Sequence, residues 1–178
     1  MKLHLGCGKR YISGYVHIDA IEYPHIDHVT TIDHLPFIPD NSVDVIYTCH
    51  VLEHFKRREV DRVLREWGRT LKPGGVLRIS VPDFSKLCEV YQRYGKLELV
   101  IGALFGRGDF LYNIHYNVFD LAVLSETLQR CGFVNVRRYD WVNTEHANVD
   151  DYSQAYIPHM DKEHGTLISL NVECNKSR

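Results

Sequence analysis

The sequence predicts an α/β fold built on a mostly parallel sheet. Two observations carry that expectation. The short apolar segment Leu3-His4-Leu5 breaks at Gly6-Cys7-Gly8 and is followed by a second β-like run, Tyr15-Val16-His17-Ile18, which ends in Asp19. Further along, strand-like stretches alternate with stretches whose apolar residues recur at helical spacing, the pattern of repeated strand and helix units. At 178 residues, 44% hydrophobic and 25% charged, the chain has the size and apolar content of one domain with its own core, so residues 1–178 are read as a single domain.

Taken in order, a third apolar patch from Val29 to Ile32 ends in Asp33. Val43-Asp44-Val45-Ile46-Tyr47-Thr48 then follows the turn residues Pro39-Asp40-Asn41-Ser42, which gives a fourth strand before His50. The interval from Gly8 to Asp19 is too short for an ordinary crossover, so the first crossover helix is expected to be vestigial or absent. From Arg57 onward, Val60, Val63, Leu64, Trp67 and Leu71 share one helix face. Glu59 with Arg62, Asp61 with Arg65, and Arg62 with Glu66 are spaced to pair along the exposed side, and Pro73-Gly74-Gly75 reads as the helix stop.

Val76 to Val81 reads as a strand, and Asp83 as the cap of a helix carrying Phe84, Leu87, Cys88 and Tyr91. Between about 95 and 118, Gly102, Gly106 and Gly108 interrupt any period while Phe105, Phe110, Tyr112 and Tyr116 add aromatic surface. This stretch is read as an irregular, partly helical, lid-like insertion. Asp120 to Cys131 reads as a helix with Leu121, Leu124 and Leu128 inward, ended by Gly132; Phe133 to Tyr139 and Leu167 to Cys174 complete the strands.

The net charge of -2 and the lack of a basic tail argue against nucleic acid as a partner. Cys7, Cys49, Cys88, Cys131 and Cys174 are spread singly and read as free thiols of a reducing compartment. Met1 to Leu5 carry no signal-peptide pattern and no apolar run approaches membrane-spanning length, so a cytoplasmic protein is expected. Nothing in the sequence speaks to oligomeric state.

A strand, a glycine turn, a second strand and a terminal acid form the arrangement by which an α/β sheet holds a nucleoside at its strand ends. Gly6 and Gly8 allow a ligand close to the backbone, although a glycine pair alone equally makes an ordinary tight turn. The third glycine of a dinucleotide fingerprint is replaced by Tyr11, and Asp19 arrives sooner than an NAD site requires. Asp19 can accept both hydroxyls of a ribose, or stand as a solvated loop acid. Asp33 can accept from an adenine amine with Leu35 or its neighbours packed on the ring, or cap a helix or turn.

Leu3-His4-Leu5-Gly6-Cys7-Gly8, Val16-His17-Ile18-Asp19, Asp33-His34-Leu35-Pro36-Phe37 with Asp40 to Asp44, His50-Val51-Leu52-Glu53-His54 and Leu71-Lys72-Pro73-Gly74-Gly75 occur in this order. They resemble the motifs of type 11 S-adenosylmethionine-dependent methyltransferases, closely from Leu3 to about Asp83. The resemblance implies a Rossmann-like methyltransferase sheet of seven strands, the last one antiparallel, with S-adenosylmethionine as cofactor. It further implies that Leu5, Gly6, Cys7 and Gly8 pass the methionine part, that Asp19 with Ala20 beside it holds the ribose, that Asp33, His34 and Leu35 meet the adenine, and that Cys49 and His50 line the pocket near the sulfonium. His4 departs from the pattern, since many relatives carry an acid there.

His50-Val51-Leu52-Glu53-His54 also matches the H-x-x-E-H pattern of zinc proteases. Here the pattern directly follows a strand and no third acid is clearly placed, so no metal site is expected. Methyl transfer from a sulfonium rests largely on in-line positioning and needs a base only for a hydroxyl or protonated amine acceptor. His50, His54 and His115 are the candidate bases, each with an alternative as a structural histidine. The basic residues Lys56, Arg57, Arg58, Arg62, Arg65 and Arg69 are interleaved with acids and read as a solvated helix face. A small-molecule acceptor is expected, with oxygen preferred because Thr48-Cys49-His50-Val51 replaces the Asn/Asp-Pro-Pro-aromatic motif of many amino-methyltransferases; by resemblance, a sugar hydroxyl is the acceptor group. The alternative is a catalytically weak or inactive cofactor-binding module acting as a subunit of a larger assembly.

Overall fold

The computed structural model describes residues 1–109 and 112–178, so Phe110, and positions 110–111 of the lid-like stretch, lie outside the described residues. The strands are β1 (Lys2–Leu5), β2 (Val16–Asp19), β3 (His28–Val29), β4 (Val43–Cys49), β5 (Leu71–Pro82), β6 (Phe133–Arg138), β7 (Tyr156–Ile157), β8 (Thr166–Leu167) and β9 (Ser169–Lys176). The helices are α1 (Arg57–Thr70), α2 (Phe84–Tyr94), α3 (Ile101–Phe105) and α4 (Leu121–Arg130). One 7-stranded sheet has the order β3-β2-β1-β4-β5-β9-β6, and β7 pairs with β8 apart from it. β1 to β5 pair in parallel, while β9 inserts antiparallel between β5 and β6, with Leu77 opposite Cys174 and Phe133 opposite Lys176. This is the mostly parallel sheet with an antiparallel last strand that the family resemblance implies.

The two faces of the sheet differ in chemistry. Leu3, Leu5, Ile18, Ile46, Leu77, Ile79, Leu170 and Val172 point to one side, where Val60, Val63, Leu64 and Trp67 of α1 and Leu124 and Leu128 of α4 close the main core. The residues between them in sequence, His4, His17, Tyr47, Arg78, Ser80, Asn171 and Glu173, point the other way. Among the described residues, the helical cover of that side is the single 3-10 turn Tyr152–Gln154. That side is crossed by the segment after β6: Tyr47 Oη donates to Asp151 at 2.6 Å, Arg78 reaches Glu145 at 2.8 Å, and Asn171 Nδ2 donates to Ser153 O at 2.8 Å. A strand buried on both sides by helices reads as a continuous apolar run; alternation in these strands marks the polar second face.

None of the residues between β1 and β4, all of them described, is helical. The expected loss of the first crossover helix is what the fold shows, and β2 supplies the compensation. His17 and Asp19 are two apart and so share a face. His17 Nε2 accepts from Ile12 N–H at 3.0 Å, and Asp19 accepts from Gly8 N–H at 2.7 Å. Two strand side chains thereby satisfy backbone donors that a helix would have paired internally.

Several expected elements are corrected. The third strand is only His28–Val29: Thr30 N–H makes the last bond to β2, at Asp19 O, and the chain then bends so that Ile32 enters the core, where its carbonyl accepts from Trp67 Nε1 at 2.8 Å. Pro73-Gly74-Gly75 does not stop α1, which ends at Thr70; the tripeptide lies within β5, in an irregularity between the pairs Val43 with Leu71 and Val45 with Val76. The three expected pairs along α1 give way to Arg62 with Asp33 and Asp61 with Arg130, while Arg69 pairs with Asp40 and, along the helix, with Glu66. Asp83 caps α2 by accepting from Ser85 N–H at 3.1 Å, but the buried residues are Leu87 and Val90 while Phe84 and Tyr91 are exposed. In α4, Leu124, Thr127 and Leu128 are inward and Leu121 is exposed. The last apolar run divides at Ile168, whose N–H turns to Ala155 O, so Thr166–Leu167 joins β7 and only Ser169 onward enters the main sheet.

Candidate cofactor and acceptor site

The strand order reverses at β1, which has β2 on one side and β4 on the other. In open α/β sheets the crevice at such a point, beyond the carboxyl ends of the strands, is where ligands bind. A cleft of about 630 Å³ opens there, bounded by Gly6 to Arg10 after β1, Asp19 to Ile21 after β2, Thr31 to Asp33, and Cys49 to Val51 after β4.

Gly6 and Gly8 both have left-handed backbones, with φ of 64° and 53°. A Cβ on Gly6 would stand 2.5 Å from Val51 Cγ2, whereas one on Gly8 would meet nothing within 4 Å. The first glycine is therefore required by packing against the turn after β4, and the second faces open cleft. Asp19 is nearly buried, and its two oxygens accept from Gly8 N–H at 2.7 Å and Ile21 N–H at 2.8 Å. A carboxylate offers about four lone-pair sites, so each oxygen retains one directed elsewhere.

The other expected cofactor residues are not all brought together. Ala20, Cys7, Asp33, Cys49 and His50 border the cleft. Asp33 also accepts from Arg62 at 2.7 Å, and hydrogen bonds from Arg62 and Thr31 outweigh its partial burial and hold its carboxyl below the usual range. Leu5 and Leu35 place their side chains in the core, fully buried, and His34 lies on the surface 3.7 Å from Glu66 of α1. The physical reason is the turn at Thr30, which sends Leu35 beneath α1, where its N–H donates to Glu66 at 2.7 Å. Burial, followed by the charge of Asp19, pushes the Cys7 thiol up to about 12; burial also raises Cys49, so neither is a ready thiolate.

Beyond the sheet, the cleft continues along His50, Val51, His54 and Phe55 to Tyr112, Asn113, Asp151 and Tyr152. His50 adopts φ of 53°, a left-handed conformation that costs a non-glycine residue about 1 to 2 kcal/mol. Its N–H is tied to Ser80 O at 2.8 Å, and the turn aims its ring into the cleft. Ser169 Oγ donates to Tyr152 O and therefore accepts from His50 Nε2 at 2.7 Å, which leaves Nδ1 of His50 without a proton, 3.5 Å from Glu53 Oε1. Burial, followed by repulsion from His115 and His54, lowers His50 to about 3. Burial and His115 likewise lower His54 to about 4, so both rings are neutral at pH 7.

Glu53 is the residue that sequence reasoning did not assign to this site. It is fully buried, neither carboxyl oxygen has a hydrogen-bond partner among the described residues, and burial raises it to about 8. The available signal was an acid set in the apolar run Val51-Leu52 at the end of a strand. The lid-like stretch is pinned beside it: Tyr116 N–H donates to Glu53 O at 2.8 Å, His54 Nδ1 meets Ile114 O at 3.1 Å, and Asn117 Nδ2 donates to Phe55 O. His115 does not border the cleft; its ring stands behind His54, with centroids 4.7 Å apart.

Residues 3–79 match the methyltransferase domain family. No curated protein matches the chain. Among solved structures, a 1,6-didemethyltoxoflavin-N1-methyltransferase from Burkholderia thailandensis, with bound 1,6-didemethyltoxoflavin and S-adenosylhomocysteine, aligns with a TM-score of 0.60 at 14% identity, over 99% of this chain and 71% of that one. A SAM-dependent methyltransferase from Archaeoglobus fulgidus aligns with a TM-score of 0.60 at 15% identity, over 98% and 85%. A putative methyltransferase from Haloferax volcanii, in complex with the Trm112 methyltransferase activator, aligns at 0.58 and 14%, over 99% and 82%. These likenesses are of fold, and the family match lies over the strands and turns that build the cleft. Residues 3–79 thus match the methyltransferase domain family, and the chain shares its fold with SAM-dependent methyltransferases, one of them solved with bound S-adenosylhomocysteine.

Proposed function

We propose that this chain transfers a methyl group from S-adenosylmethionine to a hydroxyl of a small acceptor, with a sugar hydroxyl as the favoured class. The observation that carries this reading is the continuity of the cleft, which runs from Gly8, Asp19 and Asp33 to His50, His54, Tyr112 and Tyr152. The bound cofactor supplies a methyl already activated on a sulfonium, which leaves as a neutral thioether. The open backbone at Gly8 admits the methionine part, and the free lone pairs of Asp19 accept ribose hydroxyls. Asp33 and its partner Arg62 border the adenine end. At the other end, Tyr112 and Tyr152 offer aromatic faces on which an acceptor ring can pack, and the proton of its hydroxyl passes to the neutral imidazole of His50 or His54, which border the cleft.

Calorimetry with S-adenosylmethionine and S-adenosylhomocysteine tests the first half, and a panel of glycan and phenolic acceptors followed by release of S-adenosylhomocysteine tests the second. Binding of both ligands with turnover on a hydroxyl acceptor is expected; absence of binding by either ligand overturns the reading. The Haloferax neighbour, held with an activator, favours a second reading in which this chain is a cofactor-binding subunit needing a partner for activity. Cofactor binding with no turnover on any acceptor would support it.

A further inference from the structure

The geometry points to a site for a divalent transition-metal ion formed by Glu53, His54 and His115 at the acceptor end of the cleft. One ligand atom from each residue lies within 4.8 Å of those of the other two. The three come from separate parts of the chain: Glu53 and His54 from the single turn after β4 (Leu52–His54), and His115 from the segment leading to α4. Their convergence is fixed by the hydrogen bond from Tyr116 N–H to Glu53 O and by that between His54 and Ile114 O.

Glu53 supplies an independent observation. Its carboxyl is wholly removed from solvent and both its oxygens lack a partner among the described residues, an arrangement costly to a protein unless something else satisfies them. His50 is the nearest cation candidate, but at 3.5 Å its Nδ1 makes no hydrogen bond with Oε1. The two histidines are oriented as metal-binding histidines are. His54 Nδ1 meets Ile114 O at 3.1 Å and His115 Nδ1 meets Ala103 O at 2.9 Å, so each ring donates through Nδ1 and keeps Nε2 as a neutral donor atom. Two imidazoles and one carboxylate suit zinc or a neighbouring first-row ion better than magnesium or calcium, which take oxygen donors. Three protein ligands also leave a position open to water or to an acceptor oxygen.

The residues are not the pair that the H-x-x-E-H pattern suggests. His50, the first histidine of that pattern, is committed to Ser169 at 2.7 Å, and His115, from outside the pattern, takes its place. The use of the ion in the reaction, to bind the acceptor hydroxyl and make it more acidic, rests on the function proposed above. The existence of the site does not.

Zinc and cobalt(II) titrations of the whole chain, freed of metal by chelation and without cofactor, test the site by calorimetry and by the visible absorption of cobalt. Saturable binding of a single ion is expected. Glu53→Gln, His54→Ala and His115→Ala should each weaken it by about tenfold or more, while His159→Ala, at an exposed histidine elsewhere, should leave it unchanged. Glu53→Gln keeps the shape of the side chain and removes no hydrogen bond, so it reports on ligation even if a histidine variant misfolds. No saturable binding by the unaltered chain, or binding that Glu53→Gln leaves intact, overturns the proposal. S-adenosylhomocysteine affinity measured on the same samples reports separately on the cofactor reading: retained affinity with no metal binding rejects the metal site alone.

Discussion

The backbone N–H of Gly8 donates to Oδ2 of Asp19 at 2.7 Å, joining the turn after β1 to the end of β2. The residue expected to hold the cofactor ribose is therefore also the clamp that shapes the glycine turn. In a fold with a helix between these strands, the helix could carry that second task. Here the connection has no helix, so the carboxylate expected to meet the ribose is also the observed clamp.

Replacing Asp19 by Ala should therefore damage two properties together. Hydrogen bonds to a charged acceptor are each worth about 1.5 to 3 kcal/mol, so S-adenosylhomocysteine affinity should fall by more than about tenfold. The melting temperature should fall as well, because the N–H groups of Gly8 and Ile21 lose their acceptor. Calorimetry and thermal unfolding on the same variant read both effects. Unchanged affinity would refute the ribose assignment, whatever happens to stability.

The two glycines of the turn should separate folding from binding. Gly6→Ala places a methyl 2.5 Å from Val51 Cγ2 on a left-handed backbone, and should cost stability through both clash and strain. Val51→Ala added to it should recover part of that loss. Gly8→Ala meets nothing within 4 Å, so its cost to folding is the left-handed strain of about 1 to 2 kcal/mol. Its methyl projects into the cleft and should weaken cofactor binding. Denaturant unfolding beside calorimetry distinguishes the two patterns.

How much of this was visible beforehand depended on whether a signal was local. The glycine turn, Asp19, α1 and the alternation in β9 are legible because backbone conformation and burial impose residue types at fixed spacing. The same alternation in Lys2-Leu3-His4-Leu5 and Val76-Leu77-Arg78-Ile79-Ser80 encodes the polar second face, yet its cover, the segment with Glu145, His146 and Asp151, has no period to reveal it. The positions of Leu35 in the core and His34 on the surface are not legible in sequence, because the path after Thr30 is set by tertiary contacts, with Trp67 and Glu66 holding the chain from α1. Glu53 was visible as a residue but not as a buried, unpartnered acid. That property arises only when residues 114–117 fold over it.

Glu53 should leave a signature on the alkaline side of the stability profile. Its folded value of about 8 lies above the unfolded carboxylate value near 4.5, so between these limits the folded state binds more protons than the unfolded state. Its contribution is complete below about pH 4.5 and is lost as pH rises through 8. Metal-free Glu53→Gln should therefore gain melting temperature over the unaltered chain at pH 8.5, by about 5 °C or more, and gain little at pH 5. A gain of equal size at both values would show that the carboxyl does not titrate in this range.

On the acid side the sign reverses. Burial lowers both His4 and His50 to about 3, against an unfolded value near 6.5. Between those limits the unfolded state binds the extra proton, so the stability associated with each neutral ring is present above pH 6.5 and is lost as pH falls toward 3. Each histidine should steepen the decline by up to about 1.4 kcal/mol per pH unit in that window. His4 is the cleaner probe, since it lies on the polar face of the sheet among Tyr15, His17 and Tyr47, with Nδ1 buried and unpartnered among the described residues. His4→Phe keeps an aromatic ring there and removes one titrating group, so urea unfolding between pH 7 and 4 should show a shallower loss of stability than in the unaltered chain. A parallel decline in the two proteins would mean that His4 accepts a proton in the folded state without penalty, and that its burial is less complete in solution than the sheet geometry implies.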